Sequence, residues 1–274
     1  MGAQQRTNYG QAQLVLFPLL RKKGARGDVI GEDLYGIVDI LRDNKSLLRG
    51  LTNPGRPPID RVALAQDVFG GHVSDEALRV AEAVVEQPWL HPRQMVETLE
   101  ELGLDAYVFT GDLNAKNGDD DLSQQLVDAY TVVANNRDLQ IQLSDLGGRD
   151  PKERAKLAGA VFDGHVSKVA KRLIMRSITG AHPGHIIQTL RRYAARSAEL
   201  HGKLLVVCST ARPLTDEQVK RMTELARRKW SHPIALAQVV DPSLIGGFRL
   251  DQGEEAIDTT VRTDIAQARL ALTA

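Results

Sequence analysis

The sequence has little of several residue types on which metal, redox and nucleic-acid sites depend. Only one cysteine, Cys208, occurs among 274 residues. A single thiol forms neither an internal disulfide framework nor a multi-cysteine metal site, so we expect a reducing compartment. Aromatic residues make up 4% of the chain and do not interleave with its basic clusters, as a nucleic-acid surface would require. Because 35 basic residues balance 35 acidic ones, no overall field attracts nucleic acid or an anionic membrane.

Long hydrophobic runs are absent as well. The longest candidate, residues 14–20, is interrupted by Pro18 and is far shorter than the roughly 20 residues of a membrane-spanning helix. The first six residues lack the apolar core of an export signal. We therefore expect no direct membrane insertion. The length and the 42% hydrophobic content permit one large domain or two to three small ones.

Residues 9–201 have the pattern of successive helices of moderate length. Leu34, Ile37, Val38 and Leu41 recur at the spacing of one helical face. Helix starts are indicated where Ser74 precedes two acidic residues and where Asp150 precedes a proline.

The helical part contains an internal repeat. Residues 64–73 and 157–166 are identical at seven of ten positions with a shift of 93, and His91-Pro92 matches His182-Pro183 with a shift of 91. A repeat of this length predicts two tandem helical bundles built on the same plan.

After residue 202 the period of the hydrophobic pattern changes. Residues 204–208 form an apolar run typical of a buried strand, and Thr215 with Gln218 forms a capping box that opens a helix. A second strand is predicted over residues 234–240. Residues 248–250 and the segment around 256–257 add one more strand or a hairpin, and a helix over 260–272 closes the domain. The predicted fold is mainly α, with helical bundles over residues 1–103 and 104–201 and a small α+β domain over 202–274.

No pattern predicts a catalytic, cofactor or metal site. Gly246 and Gly247 lie between two predicted strands, whereas a phosphate cradle needs glycines between a strand and a helix N-terminus. We expect these glycines to permit a positive φ or close packing. The repeat-equivalent His72 and His165, like His91 and His182, lie at helix boundaries and are typical of turns, and no third ligand accompanies His182 and His185.

The segment from residue 239 to 262 resembles the C-terminal signature of the delta subunit of F-type ATP synthases, the family of the oligomycin sensitivity-conferring protein. The signature positions, for which we expect structural roles, are Asp241, Leu244, Gly246, Gly247, Gly253, Asp258 and Thr260. Typical members carry the helical domain once. The duplication is similar to the long delta subunits of actinobacteria, or to the delta portion of their fused b-delta chains.

This resemblance implies a non-catalytic subunit of the peripheral stalk, the stator of the synthase, which serves ATP synthesis and hydrogen ion transport. Its implied partners are the alpha and b subunits, which it would join as a monomer within the hetero-oligomeric complex. The implied location is peripheral, on the cytoplasmic face of the plasma membrane.

The resemblance also implies a slot for alpha between the first and fifth helices of a bundle. In the first copy the predicted contact residues are Tyr9, Leu16, Leu19, Leu78, Val80 and Val84. In the second copy they are Tyr107, Val108, Phe109, Val169, Leu173 and Ile174. Packing within the core is the alternative role for each of these side chains.

Two other functions remain open from the residues alone. One is a cytoplasmic helical-repeat adaptor unrelated to the synthase, and the other is a small-molecule enzyme that uses the α+β domain.

Overall fold

The computed structural model describes residues 2–22, 24–114, 122–144, 148–180, 185–253, 255–261 and 263, with backbone alone for residues 110–114. His182 lies outside the described residues, as does the predicted helix over 260–272 apart from its first positions. Within the described residues the chain is mainly helical and ends in a small α+β domain, as the sequence predicts.

The first helical copy is a bundle with one continuous hydrophobic core. Its helices are α1 Ala3–Leu20, α2 Gly27–Asp43, α3 Lys45–Thr52, α4 Pro58–Phe69, α5 Asp75–Glu86 and α6 Pro92–Asn114. The predicted start of α5 is confirmed, since Ser74 Oγ accepts a hydrogen bond from the backbone N–H of Ala77.

The second helical copy repeats this plan from its second helix onward. Its helices are α7 Leu122–Asn135, α8 Arg137–Leu143, α9 Pro151–Val161, α10 Lys168–Thr179 and α11 Ile186–Leu200. The predicted cap of α9 is confirmed, because Asp150 accepts from the backbone N–H of Lys152.

The same tertiary hydrogen bond occurs in both copies. In the first, the backbone N–H of Ser74 donates to Asp33 Oδ2 over 2.8 Å. In the second, the backbone N–H of Ser167 donates to Gln125 Oε1 over 2.7 Å. Asp33 and Gln125 are 92 residues apart, and the two serines 93 apart. The internal repeat therefore extends to individual contacts between helices.

The crossing of α2 and α6 is the most extensive helix contact of the first copy. A Cβ atom added to Gly31 of α2 would lie 2.5 Å from the ring of Tyr107 in α6, and one added to Gly103 of α6 would lie 2.5 Å from the ring of Tyr35 in α2. The two rings stack, with centroids 5.6 Å apart. Each helix thus provides one glycine that receives the tyrosine of the other.

The equivalent crossing in the second copy uses side chains of intermediate size. Ser123 and Val127 of α7 stand where α2 has Gly31 and Tyr35, and Ala194 and Ala198 of α11 stand where α6 has Gly103 and Tyr107. All four are fully buried. Without a tyrosine to accommodate, neither α7 nor α11 requires a glycine here.

Helix α6 runs without interruption through residues 103 and 104, where the sequence predicts a domain boundary. Gly103 does not end the helix. Glycine stands at this position because a side chain there would collide with the ring of Tyr35. The chain forms two compact units, Met1–Asp119 with Thr179–Pro183 and Asp120–Ile178 with Gly184–Ala274. The second unit holds the second helical copy and the α+β domain together. The three-domain division stays a prediction.

The α+β domain is a mixed four-stranded sheet with one crossover helix. Its elements are β1 Leu204–Thr210, α12 Asp216–Trp230, β2 Ile234–Val240, a short 3-10 helix Pro242–Leu244, β3 Phe248–Gln252 and β4 Glu255–Asp258. The strand order is β2-β1-β3-β4, with β1 parallel to β2 and both other pairs antiparallel. The predicted capping box at Thr215 and Gln218 is confirmed.

Helices pack on both faces of the β1–β2 half of this sheet. Val206, Cys208 and Leu250 form a core with Ala226 of α12 on one face. On the opposite face α7 packs against β2 and α11 against β1. No helix in the described part of the chain is long and apolar enough to cross a membrane.

We expect Gly31→Ala to destabilise the first bundle by about 1–3 kcal/mol, because the new methyl group overpacks the crossing against Tyr107. Gly36→Ala is the matched control, since it lies in the same helix with nothing within 4 Å of its added Cβ atom. That substitution should stabilise the helix by up to about 1 kcal/mol. Urea unfolding followed by far-UV circular dichroism gives both values, and shifts of the same sign would contradict the role of Gly31.

Candidate partner-binding surfaces

The predicted contact residues of the first copy lie mostly in the bundle core. Leu16 and Leu19 of α1 and Val80 and Val84 of α5 are buried, and α1 packs directly against α5. Leu78 is half-buried and packs against the same core. The apolar periodicity of these helices therefore places four of the side chains where only the bundle itself contacts them.

Tyr9 is half-buried and is fixed in place by α6. Its hydroxyl donates to Asp105 Oδ2 over 2.6 Å, and Gln13 Nε2 donates to the same oxygen over 2.8 Å. Asp105 is completely buried. These two hydrogen bonds hold α1 in register with α6.

The predicted contact residues of the second copy belong to α6 and α10. Tyr107 and Val108 are buried in α6, and half-buried Phe109 faces Phe17 of α1 with ring centroids 6.4 Å apart. In α10, Leu173 and Ile174 are fully buried and Val169 is half-buried. Four of these six side chains are therefore buried, and Phe109 and Val169 are half-buried.

The outward face of α1 is a surface that reasoning from periodicity missed. The helix carries a single charged residue, Arg6, among its 18 positions. Leu14 is 70% exposed, and Thr7 and Pro18 beside it on the same face are exposed as well. By contrast, α5 carries Asp75, Glu76, Arg79, Glu82 and Glu86. The lack of charge in α1 was visible in the sequence and is unusual for a helix with a solvent face.

The signature segment forms a tight structural corner. Gly247 has a φ of +77°, and a Cβ atom there would lie 2.2 Å from the carbonyl oxygen of Thr259. Gly246 has an ordinary φ and accepts a hydrogen bond from Val261 through its carbonyl. Gly247 thus combines a positive φ with a close approach of the backbone. Leu244 is buried, and Asp241 accepts a hydrogen bond from the backbone N–H of Ser243.

Asp258 and Thr260 form the other half of this corner. Asp258 Oδ1 accepts from the backbone N–H and the hydroxyl of Thr260, over 2.9 and 2.7 Å. These bonds hold the pKa of Asp258 below its ordinary value. Thr260 Oγ1 accepts in turn from the backbone N–H of Thr263, as an N-cap does. Asp258 and Thr260 thus supply the side-chain hydrogen bonds of this corner. Gly253 ends β3 with a φ of +58°.

Ile245 projects from the same corner into solvent. It is 69% exposed and has a φ of +67°. It lines a shallow cavity of about 400 Å³ together with Arg212, Pro213, Leu214, Met222 and Phe248. A β-branched residue with a positive φ has a strained backbone. The conformation that exposes the Ile245 side chain therefore costs free energy.

The charged groups of α12 and the repeat-equivalent residues His72 and His165 have structural roles. Glu224 accepts hydrogen bonds from Arg227 and Arg228 on the exposed face of α12, which lowers its pKa to about 2. The backbone N–H groups of His72 and His165 close equivalent turns onto Phe69 and Phe162. Among the described residues, no group of three or more His, Cys, Asp or Glu side chains is placed to hold a metal ion.

Comparison with known proteins assigns the second copy and the α+β domain to a protein family. Residues 112–272 match the family model described as ATP synthase delta (OSCP) subunit. The match begins near the end of α6 and therefore leaves most of the first helical copy outside it.

Similar full-length relatives are named ATP synthase subunit delta. One from Bifidobacterium longum subsp. infantis is 29% identical over 247 residues, covering 90% of this chain and 88% of the relative. One from Frankia alni is 27% identical and covers 89% and 87%, and one from Beutenbergia cavernae is 24% identical and covers 92% of both. Coverage this high requires that most of the first helical copy also aligns.

We expect Gly247→Ala to destabilise the α+β domain by about 3 kcal/mol or more, because strain at positive φ adds to a clash with the Thr259 carbonyl. Gly253→Ala is the control, since it also has positive φ but nothing within 4 Å of its added Cβ atom, and should cost about 1 kcal/mol. Thermal unfolding compares the two. Equal losses would show that the close approach at Gly247 is unimportant.

We expect the Cys208 thiol to be unreactive in the native protein. The side chain is fully buried in β1, and burial raises its pKa to about 11, so at pH 8 only about a thousandth is thiolate. Titration with Ellman's reagent should detect one thiol in denaturant and none on the same timescale without it. Rapid reaction of the folded chain would contradict the packing of β1 against α12.

Proposed function

Because the chain belongs to the ATP synthase delta (OSCP) subunit family, we propose that it is a peripheral-stalk subunit of the proton-translocating F-type ATP synthase. A delta subunit is a structural part of the synthase and is not itself catalytic. In the proposed role the chain links the alpha subunits of the catalytic head to the b subunit. It does so as a monomer within the hetero-oligomeric complex, at the cytoplasmic face of the plasma membrane.

The outward face of α1 is the observation that supports a contact with alpha. An amphipathic partner helix binds by laying apolar side chains into a groove between bundle helices. Charges in such a groove would have to be desolvated on binding. Since α1 presents Leu14, Thr7 and Pro18 and carries no charge beyond Arg6, this face can be covered at low cost.

The predicted contact residues take two roles in this proposal. The half-buried side chains Tyr9 of α1 and Leu78 of α5 keep area that a partner helix can contact. The side chains that are buried in the core set the spacing of α1 and α5. These are Leu16, Leu19, Val80 and Val84. In the second copy Phe109 and Val169 are the half-buried side chains that keep such area. The buried side chains are Tyr107, Val108, Leu173 and Ile174.

Ile245 supports the contact of the α+β domain with the b subunit. It adds an exposed apolar anchor beside a cavity whose lining includes Leu214, Met222 and Phe248. Anchors that fill pockets contribute much of the free energy of binding, and differences in affinity between related complexes lie mostly in the dissociation rate. Slow dissociation is the property that a stator needs in order to resist rotor torque.

Rebinding to the synthase tests the proposal. Detergent-solubilised synthase from the source organism should contain this chain, and a preparation stripped of it should rebind the purified protein. We expect Leu14→Glu to weaken rebinding at least about tenfold, because the carboxylate must be desolvated at the centre of the interface. Biolayer interferometry against the immobilised stripped complex measures the affinity.

Ile59→Glu is the matched control for this measurement. Ile59 is 75% exposed on α4 and Leu14 is 70% exposed on α1, so both substitutions place the same charge at an exposed aliphatic position. Wild-type affinity for both variants would refute the α1 contact. A synthase that contains no polypeptide of this sequence would refute the stator role itself. Leu173 is unsuitable for such a test, since it is fully buried and an acidic residue there would unfold α10.

A further inference from the structure

Asn135, the last residue of α7, is bonded to the free edge of the sheet. Its Nδ2 donates to the carbonyl oxygen of Gln238 over 3.0 Å, and its Oδ1 accepts from the backbone N–H of Val240 over 2.7 Å. The orientation of the amide is fixed by its partners, since a carbonyl needs a donor and an N–H needs an acceptor. One side chain therefore occupies both backbone groups at this point of β2.

These two bonds reproduce the pairing of a parallel strand. A residue in a parallel strand donates to the carbonyl before its partner and accepts from the N–H after it, and Gln238 and Val240 flank Val239 in this way. Val239 itself pairs with Ser209 of β1 on the other side of β2. Strand β2 is an edge strand of the described sheet, and such an edge normally leaves N–H and C=O groups unpaired.

A second connection joins the same helical layer to the neighbouring strand. Only three residues separate α11 from β1. Gly202 turns the chain with a φ of +67°, and the backbone N–H of Lys203 closes the helix on the Ala198 carbonyl over 2.8 Å. The next backbone N–H, that of Leu204, already bonds to Pro233 beside β2. The connection between α11 and β1 is therefore short and is held by hydrogen bonds at both of its ends.

The layer between these connections is buried. Val207 of β1 and Ala235 and Ala237 of β2 are at most 5% exposed, on the side of the sheet facing α7 and α11. Tyr130 of α7 is buried as well, which raises its pKa, and it lies within the field of Arg191 of α11 and Asp251 of β3. Helices and strands of the second unit thus share one core layer.

We propose that Asn135 is a positioning residue that fixes the α+β domain to the second helical bundle, so that the two move as one rigid body. The equivalent position in the first copy, 92 residues earlier, is Asp43. A carboxylate accepts hydrogen bonds but donates none, so it cannot pair with both groups of a strand edge. Only the side chain in the second copy can therefore make both hydrogen bonds, and this is the copy that packs against the sheet.

Hydrogen exchange of the Val240 amide in the full chain tests the bonds. We expect Asn135→Ala to reduce its protection factor at least tenfold, while the amide of Val206 in the central strand β1 keeps its protection. Asp43→Ala is the matched control at the equivalent repeat position and should leave Val240 unchanged. Protection at Val240 within twofold of wild type in Asn135→Ala would overturn the proposal.

Asn135→Asp adds a pH profile that a loss of helix stability alone would not produce. At pH 7 the carboxylate still accepts from Val240 but repels the Gln238 carbonyl. Protonation near pH 4 restores a donor. We expect the Val240 protection factor, relative to wild type, to be lowered at pH 7 and to recover as the pH falls through this range. A deficit independent of pH, or no deficit, would overturn the proposal.

Spin labels test the rigid body directly. Cysteines introduced at the exposed positions Asp128 of α7 and Arg228 of α12 can be labelled selectively, since Cys208 is buried. We expect one narrow distance distribution in wild type and a broader one with Asn135→Ala. Equal widths would overturn the proposal. The spin-label experiment uses the isolated chain. Its result is therefore independent of whether the chain is a subunit of the synthase.

Discussion

The reciprocal insertion of Tyr35 and Tyr107 against Gly31 and Gly103 is the constraint on which the first bundle depends. It brings α2 and α6 to a separation at which each backbone contacts the ring of the other helix. The stacked rings then fix the rotation of both helices, and the Tyr107 hydroxyl adds a 2.6 Å bond to Glu32. Helix α1 is positioned on this pair through Asp105 of α6. The position of the α1 face is therefore set by the α2–α6 crossing.

Local signals predicted much of this architecture from the sequence. The caps at Ser74, Asp150 and Thr215 are short-range features, in which one side chain meets a backbone group of the next turn. The repeat is a comparison of the chain with itself and needs no structure. The role of Gly247 followed from its place between strands. Each of these inferences depends on neighbours in sequence.

What the sequence did not reveal depends on contacts between distant residues. Gly103 was compatible with a break between domains, and only the ring of Tyr35, 68 positions earlier, explains why a helix carries glycine there. Apolar periodicity identified α1 and α5 but did not separate buried Leu16 from exposed Leu14. The pairing of Asn135 with β2 joins residues more than a hundred positions apart and has no local signature.

The different side chains at the two crossings also bear on how a tandem repeat avoids folding incorrectly. Two copies of one bundle invite helices of one copy to pair with those of the other. If α2 paired with α11, Tyr35 would meet Ala194 in place of glycine. If α7 paired with α6, Tyr107 would meet Ser123, and Val127 would leave the space beside Gly103 unfilled. The size of these side chains alone therefore disfavours both exchanged pairings.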